Sequence, residues 1–319
     1  MLEVIEATAL LTLQDGGRLG WRRYGVPASG PMDRFAFAAA NLLAANSLEL
    51  TALEVGGGDV VLRAASDCVI AVAGAGYKLR VNIWEYPLWG SYFVRGGWDI
   101  RLEKSGFGMW AYVALCGGIE AASVLGSRST YLRGGFGGRE GRPLQAGDAL
   151  RCAAPRRELM EAAGRWLIPE ARPSYTSNSI LEFTPGPQSE SLSTLTSNEY
   201  RVALSSDRMG YRLEGPMLKH RRSADLTSEG MAMGSIQVPA DGAPIVMMAD
   251  CATTGGYPKI GCVIRADLPL LAQCTPGQDT VRFRQTTVEA AQDKYRAAVR
   301  RMKVGIGQSD EDTEPIGAS

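Results

Sequence analysis

Residue types able to do chemistry concentrate in a few short stretches of this chain. The first is Gly25-Val-Pro-Ala-Ser-Gly-Pro-Met-Asp33 and the second is Asp250-Cys-Ala-Thr-Thr-Gly-Gly-Tyr-Pro-Lys259. Glycine lets backbone approach a ligand closely, and proline fixes the approach. In the first stretch, Gly30-Pro31 predicts a helix start, with proline at the first helical position and Asp33 in the first turn. Free N–H groups and the positive end of the helix dipole then face whatever docks there. Ser29 adds a hydroxyl, and Asp33 can accept a proton or orient an N–H donor. Such a set suits a small carboxylate or amide. A plain helix start, with Asp33 merely complementing the dipole, is the equal alternative. In the second stretch, Asp250, Thr253, Thr254 and Tyr257 place a carboxylate and three hydroxyls around Gly255-Gly256, and Gln237 stands upstream. Donors and acceptors in that mixture suit a ureido or lactam group, whose C=O and N–H need opposite partners. A turn in which the threonines cap backbone is the simpler reading.

Arginine supplies a second theme. Asp15 and Arg18 share the turn Gln14-Asp-Gly-Gly-Arg18, where Arg18 can clamp a carboxylate in two-point fashion or brace Asp15. Gly126-Ser-Arg-Ser-Thr130 leads into a glycine-rich run with Arg133, Arg139 and Arg142. Such backbone can nest an anion near Arg128 and Ser129, or it can be a surface loop with solvated arginines. No Gly-Lys-Ser/Thr occurs, so this is not a Walker loop. Ala73-Gly-Ala-Gly76 lacks the third glycine of a dinucleotide turn. The single histidine, His220, reads as an exposed loop residue, and the six cysteines form no Cys-x-x-Cys pair. A zinc site or a histidine-based nucleophile triad therefore has little to stand on.

These groups must be positioned by strands. Alternating runs at residues 9–13, 59–63, 69–72, 78–81 and 108–115 read as β. Three glycine turns, at Gly97, Gly147 and Gly277, each feed an alternating strand. Helices are few: one from Pro31 to Leu43, one from Arg156 to Trp166, and one opened by the capping box Thr286-x-x-Glu289, with a stripe at Ala291, Tyr295, Ala298 and Met302. Arg18-Leu-Gly-Trp-Arg22 is echoed by Arg208-Met-Gly-Tyr-Arg212, each after an aspartate, which points to two related halves. The expected division is 1–155, a helix and linker at 156–178, 179–305 with the last helix, and a loose acidic tail at 306–319. The stretch Trp84, Tyr86, Trp89 and Tyr92 reads as core strand or as a partner face.

The 34 basic and 34 acidic residues cancel, which argues against nucleic acid and anionic membrane as partners. No apolar run approaches the roughly 18 residues of a membrane span, and the N-terminus shows no signal peptide. Scattered cysteines inside apolar runs suggest reduced thiols and a cytoplasmic protein.

Six motifs in order carry a resemblance. Gln14–Gly20, Gly25–Asp33, Leu125–Tyr131, Ser206–Gly215, Ile236–Pro239 and Thr253–Pro258 are similar to signatures of the KipA / allophanate hydrolase subunit 2 family, also described as biotin-dependent carboxyltransferase. The match runs from about residue 3 to 290. It implies a mainly β fold of two tandem cyclophilin-like β-barrel domains with few short helices. It further implies the C component of an ATP-dependent 5-oxoprolinase, which opens the 5-oxoproline lactam to glutamate. The implied partners are a KipI-like B component and a LamB/YcsF-like A component, with ATP used together with the partner. Within that reading Asp33 or Asp250 is the general acid/base. Arg18 and Arg128 clamp an anion, and Ser29, Ser129, Gln237, Thr253, Thr254 and Tyr257 bind a small cyclic amide or urea. The alternatives are the carboxyltransferase component of a biotin-dependent urea or amide carboxylase, with biotin carried on another protein, and a non-enzymatic KipI-binding regulator. Two departures stand out: Cys251-Ala252 replaces a larger polar pair, and Ala44-Ala45-Asn46 replaces Val-Gly-Asn.

Overall fold

The computed structural model describes residues 1–154, 159–189, 192–220 and 226–308. It is mainly β, and its contacts divide it into two compact units. Unit one comprises Met1–Gly17, Asp33–Arg172 and Arg300–Ser319; unit two comprises Arg18–Met32 and Pro173–Val299. The segment Arg18–Met32 thus belongs with the second half of the chain, whereas a division by sequence alone keeps it with the first.

Unit one holds two sheets. A six-stranded sheet runs in the order Ala149–Leu150, Leu2–Ala7, Val60–Ala64, Asp99–Lys104, Tyr77–Val81, Trp84–Tyr86. A seven-stranded sheet runs Leu10–Gln14, Ala52–Gly56, Trp110–Leu115, Cys68–Gly74, Gly90–Val94, Arg165–Leu167, Ile306–Gln308. Every second residue of their strands enters one core: Leu62 and Val60, Leu79 and Val81, Ile70 and Val72, Val113 and Leu115. That is the period of two that the alternating runs demand. Tyr86 and Tyr92 meet with tilted rings at 4.6 Å and pack against this core, and Trp89 is 6% exposed, so much of the aromatic stretch serves the interior.

The opposite face of the seven-stranded sheet is also buried. Val69, Ala71, Ala73 and Ala114 are small enough to admit the helix Arg34–Leu43, which packs on the strands Cys68–Gly74 and Trp110–Leu115. The helix starts three residues later than its sequence suggests. Asp33 is its N-cap, extended at φ −101°, and accepts the Ala36 N–H at 2.9 Å. Pro31 lies outside it, because Ser29 and Gly30 hold φ values of +53° and +88° that no helix contains. The helix ends at Leu43 with Ala44 as its cap, and the next residue, Ala45, sits at φ +56°, where the family pattern has the glycine that suits this left-handed position.

Unit two is a closed barrel of seven strands, in the order Asn178–Pro185, Lys259–Val263, Ser235–Gln237, Ile245–Met247, Gly210–Glu214, Glu199–Val202, Thr280–Gln285. A parallel pairing of the first and last of these closes it. Phe283 meets Phe183 and Tyr200 edge-on inside, both at 6.1 Å.

Two helix expectations are corrected. Residues 155–158 lie outside the described residues. Beyond them the chain makes one tight turn, Met160–Ala162, and a strand, Arg165–Leu167, because Trp166 and its neighbours continue the seven-stranded sheet. The last helix spans Val288–Val304, but its cap is Thr287, whose Oγ1 accepts the Ala290 N–H at 3.2 Å. Thr286 instead gives its N–H to Phe183 O and so ends the barrel strand. Met302 of the expected stripe is buried. The acidic residues from 309 onward lie outside the described residues. Among the described residues, no helix is long and apolar enough to cross a membrane.

Truncating the central aromatic residue of the barrel should open a cavity that its rigid neighbours cannot fill. Phe283→Ala is expected to cost the second unit about 3–5 kcal/mol, read as an earlier urea transition of the barrel.

Candidate functional site

Building the site in unit two starts from a buried charge. Arg208 is 5% exposed and leads into the strand Gly210–Glu214. Its Nε donates to Asp250 Oδ2 at 2.8 Å and its Nη2 to Oδ1 at 3.2 Å. Nη2 also donates to Gly30 O at 2.8 Å. The backbone answers the side chains, since Asp250 N donates to Arg208 O. One guanidinium therefore ties together the two loops whose composition is most unusual, Gly25–Asp33 and Asp250–Lys259. Planar guanidinium geometry suits this two-point grip.

A second arginine repeats the attachment. Arg22 Nη2 donates to Met231 O and, at 3.4 Å, to Ala252 O. It also reaches the thiol of Cys251, which is 1% exposed. Burial pushes that thiol up from its ordinary range, and the nearby Arg22 opposes the shift. Arg22 and the Cys251-Ala252 pair thus meet where the family pattern carries a larger polar pair.

The remaining residues of the second loop are used differently from the sequence expectation. Gly255 and Gly256 serve close packing within the chain: a Cβ on Gly255 would stand 2.7 Å from Gln237 Nε2, and one on Gly256 would stand 3.1 Å from Leu226 O. Gln237 is buried on the strand Ser235–Gln237. Thr253 O accepts the Met231 N–H at 2.9 Å, and Thr254–Gly255 pairs with Glu229–Gly230. Thr254 is exposed and Tyr257 is 40% exposed. Arg18 is fully buried, and its N–H donates to Ala28 O at 2.6 Å. Ser29 is fully buried as well, and its Oγ finds no hydrogen-bond partner among the described residues.

Unit one holds the other candidates. Asp33 is fully buried at its cap; its N–H donates to the Tyr112 hydroxyl at 2.8 Å, and that hydroxyl donates to Glu54 Oε2 at 2.8 Å. Glu54 was missed in the sequence, although a lone carboxylate inside the apolar run Ala52-Leu-Glu-Val was a usable signal. Burial, together with the charges of Glu54 and Asp33, pushes the Tyr112 phenol well up.

The glycine-rich arginine loop, read in the sequence as an anion nest or a surface loop, is knotted on Asp15. The Asp15 carboxylate accepts from Ser127 Oγ at 2.6 Å, Arg128 N at 2.5 Å, Ser129 Oγ at 2.7 Å and Gly17 N at 3.0 Å. Ser129 thus spends its hydroxyl on Asp15. The Arg128 side chain is exposed and gives its Nε to Ala121 O. Arg142 pairs with Asp148 at 2.7 Å, and Arg139 lies 3.6 Å from the same carboxylate. Burial raises the Asp15 carboxyl, but its hydrogen bonds outweigh that, led by the Arg128 N–H, and hold it below the ordinary value. The echoed Asp207 does similar local work, accepting Met209 N at 2.8 Å, while Arg208 turns to Asp250 instead. His220 is half-buried rather than exposed, with Nε2 2.7 Å from Pro239 O.

Known proteins share this geometry's sequence. Residues 24–285 match the family model described as carboxyltransferase domain, subdomain A and B. The chain belongs to this carboxyltransferase family. It is 37% identical over 311 residues to the 5-oxoprolinase C subunit of Escherichia coli, covering 93% of this chain and 96% of the relative. The urea amidolyase of K. lactis has a similar structure, with a TM-score of 0.89 and 27% identity over 97% of this chain and 20% of that one. TTHA0988 has a similar structure too, with a TM-score of 0.81 and 34% identity over 89% of this chain. The chain spans about half the length of TTHA0988, at 55%. The family match encloses Ser29, Arg208 and Asp250, so the buried cluster lies inside the shared domain.

Two outcomes test this geometry. Arg208→Met leaves the Asp250 carboxylate buried and unpaired, and should cost about 3–5 kcal/mol, whereas adding Asp250→Leu should restore most of the loss; urea titration of the three proteins reads this. Asp15 has its carboxyl pKa depressed by folding, so its contribution to stability is complete above the unfolded value, 3.8, and fades as pH falls through the lower folded value. Asp15→Asn should flatten that acid limb in a plot of stability against pH.

Proposed function

We propose that this chain works as the C component of an ATP-dependent 5-oxoprolinase. The observation that carries the reading is identity of 37% across nearly the whole of a relative named as the C subunit of 5-oxoprolinase. The buried cluster around Arg208 adds chemical support, because it holds a polar loop rigidly with no net charge from the ion pair.

In this reading the chain acts with KipI-like and LamB/YcsF-like partners. ATP supplies activation of the lactam oxygen, so that water can then open the ring to glutamate. The residues here bind and orient. The anion clamps expected at Arg18 and Arg128 are not carried into this reading: Arg18 is fully buried, and Arg128 gives its Nε to Ala121 O. Gln237, Thr253, Thr254 and Tyr257 offer hydrogen bonds to the ring amide. Each well-placed donor aimed at developing charge can contribute about 3–4 kcal/mol to the rate. Asp33 keeps the acid/base role. Asp250 changes role: both its oxygens accept from Arg208, so it positions that arginine instead of moving protons. Ser129, whose hydroxyl is given to Asp15, drops out of the substrate set.

A second reading, a carboxyltransferase component acting on urea with biotin on another protein, is favoured by the similarity to K. lactis urea amidolyase. Avidin separates the two, since it blocks only a biotin-dependent reaction.

Reconstitution with the two partners should give ATP hydrolysis that depends on 5-oxoproline and resists avidin. Asp33→Asn in that complex should lower kcat by about 100-fold or more. Full turnover by that variant would remove Asp33 from the acid/base role.

A further inference from the structure

Glu54 puts a carboxylate where its strand is otherwise apolar. Its neighbours Leu53 and Val55 enter the core of unit one, and so do Ala111 and Val113 on the adjoining strand. Alternation turns Glu54 and its cross-strand partner Tyr112 to the other face, on which the helix Arg34–Leu43 packs. Both are fully buried. Burying a carboxylate is expensive, and an apolar pair of similar volume is often the more stable choice. What the polar pair adds is a reach to Asp33. Glu54 Oε2 accepts the Tyr112 O–H at 2.8 Å, and the phenol oxygen accepts the Asp33 N–H at 2.8 Å. In a capping box that N–H would go to a Glu or Gln three residues on. Ala36 stands there instead, and the phenol takes its place. The Asp33 side chain caps in the other direction, accepting the Ala36 N–H at 2.9 Å. Phe37 braces the arrangement from the helix, meeting the Tyr112 ring edge-on at 5.8 Å.

We infer that Tyr112 and Glu54 are positioning residues for Asp33: the buried carboxylate, acting through the phenol, fixes the Asp33 peptide and with it the direction of the Asp33 side chain. This deepens the reading under Proposed function and rests on the acid/base role given there to Asp33. Neither residue has to touch a substrate, so complete burial suits the task. The charge on Glu54 matters because a hydrogen bond to a carboxylate is stronger than one between neutral groups. A phenol that donates strongly is also a better acceptor, which tightens its hold on the Asp33 N–H. An acid/base group loses rate steeply when its direction drifts.

The experiment follows the reconstituted complex with Tyr112→Phe, which removes only the hydroxyl, and with Glu54→Gln, which removes the charge but keeps an oxygen that can accept from the phenol. The expected result is a kcat lowered by about tenfold or more in Tyr112→Phe and by less in Glu54→Gln. The KM for 5-oxoproline should stay within about twofold of the unaltered value in both. Adding Tyr112→Phe to Asp33→Asn should cost little further rate, because residues that act through Asp33 are not additive with its loss. Melting curves establish that the variants fold; should Tyr112→Phe not fold, the kcat loss of Glu54→Gln at unchanged KM carries the test alone. An unchanged kcat, a loss confined to KM, or a full further loss in the Asp33→Asn background overturns the inference while the proposed function stands. If the unaltered complex hydrolyses no ATP with 5-oxoproline, or Asp33→Asn turns over fully, the reading of Asp33 fails. Hydrogen exchange on the single chain then decides the positioning. The Ala36 amide, which reports the Asp33 cap, should exchange about tenfold faster in Tyr112→Phe, with the Val55 and Val113 amides as slow as before. Equal exchange at Ala36, or a general rise at all three, overturns it.

Discussion

The buried Arg208–Asp250 pair is the constraint on which the candidate site depends. Taking a guanidinium and a carboxylate out of water is expensive, and their attraction offsets the cost only when geometry is good and the remaining donors are used. Here the pair is two-point and a third bond goes to Gly30 O. Moving the Gly30 loop would strip a donor of its acceptor in a low-dielectric setting, where an unmade bond costs most. The loop is thus placed by electrostatics rather than by packing alone. Ion pairs of this kind are poor sources of net stability but good determinants of one arrangement over its rivals.

Asp15 and Asp207 show how one sequence device serves two ends. Each accepts an N–H two residues ahead, closing a local turn. Beyond that turn the halves diverge. Asp15 gathers Ser127, Arg128 and Ser129 into a knot. In the second half it is the adjacent arginine that reaches far, to Asp250 and Gly30. Glycines follow the same logic. Those at 255 and 256 look like a ligand cradle in the sequence but give room to the Gln237 side chain and the Leu226 carbonyl.

Membership of the carboxyltransferase family places these contacts in a wider frame. The matched domain runs through both units. In K. lactis urea amidolyase the matching region is 20% of a much longer chain. There the matching domain is covalently joined to other polypeptide.

Sequence alone determined the mainly β class, most strand positions and the family, because alternation, turn glycines and short motifs are local properties. It misplaced the start of the Arg34–Leu43 helix by three residues, since only the fold shows that Ser29 and Gly30 are left-handed and that Asp33 caps. It extended a helix to Trp166, where the chain instead forms the strand Arg165–Leu167, since pairing with Ile306–Gln308 outweighs local preference. The partner of each polar side chain was decided by tertiary structure alone. Arg208 reaches Gly30 across 178 residues of sequence, and Glu54 reaches Tyr112 across 58. No periodicity encodes such a choice. It follows from which groups lose water together when the chain closes, and each buried donor must then find an acceptor that the fold has brought within reach.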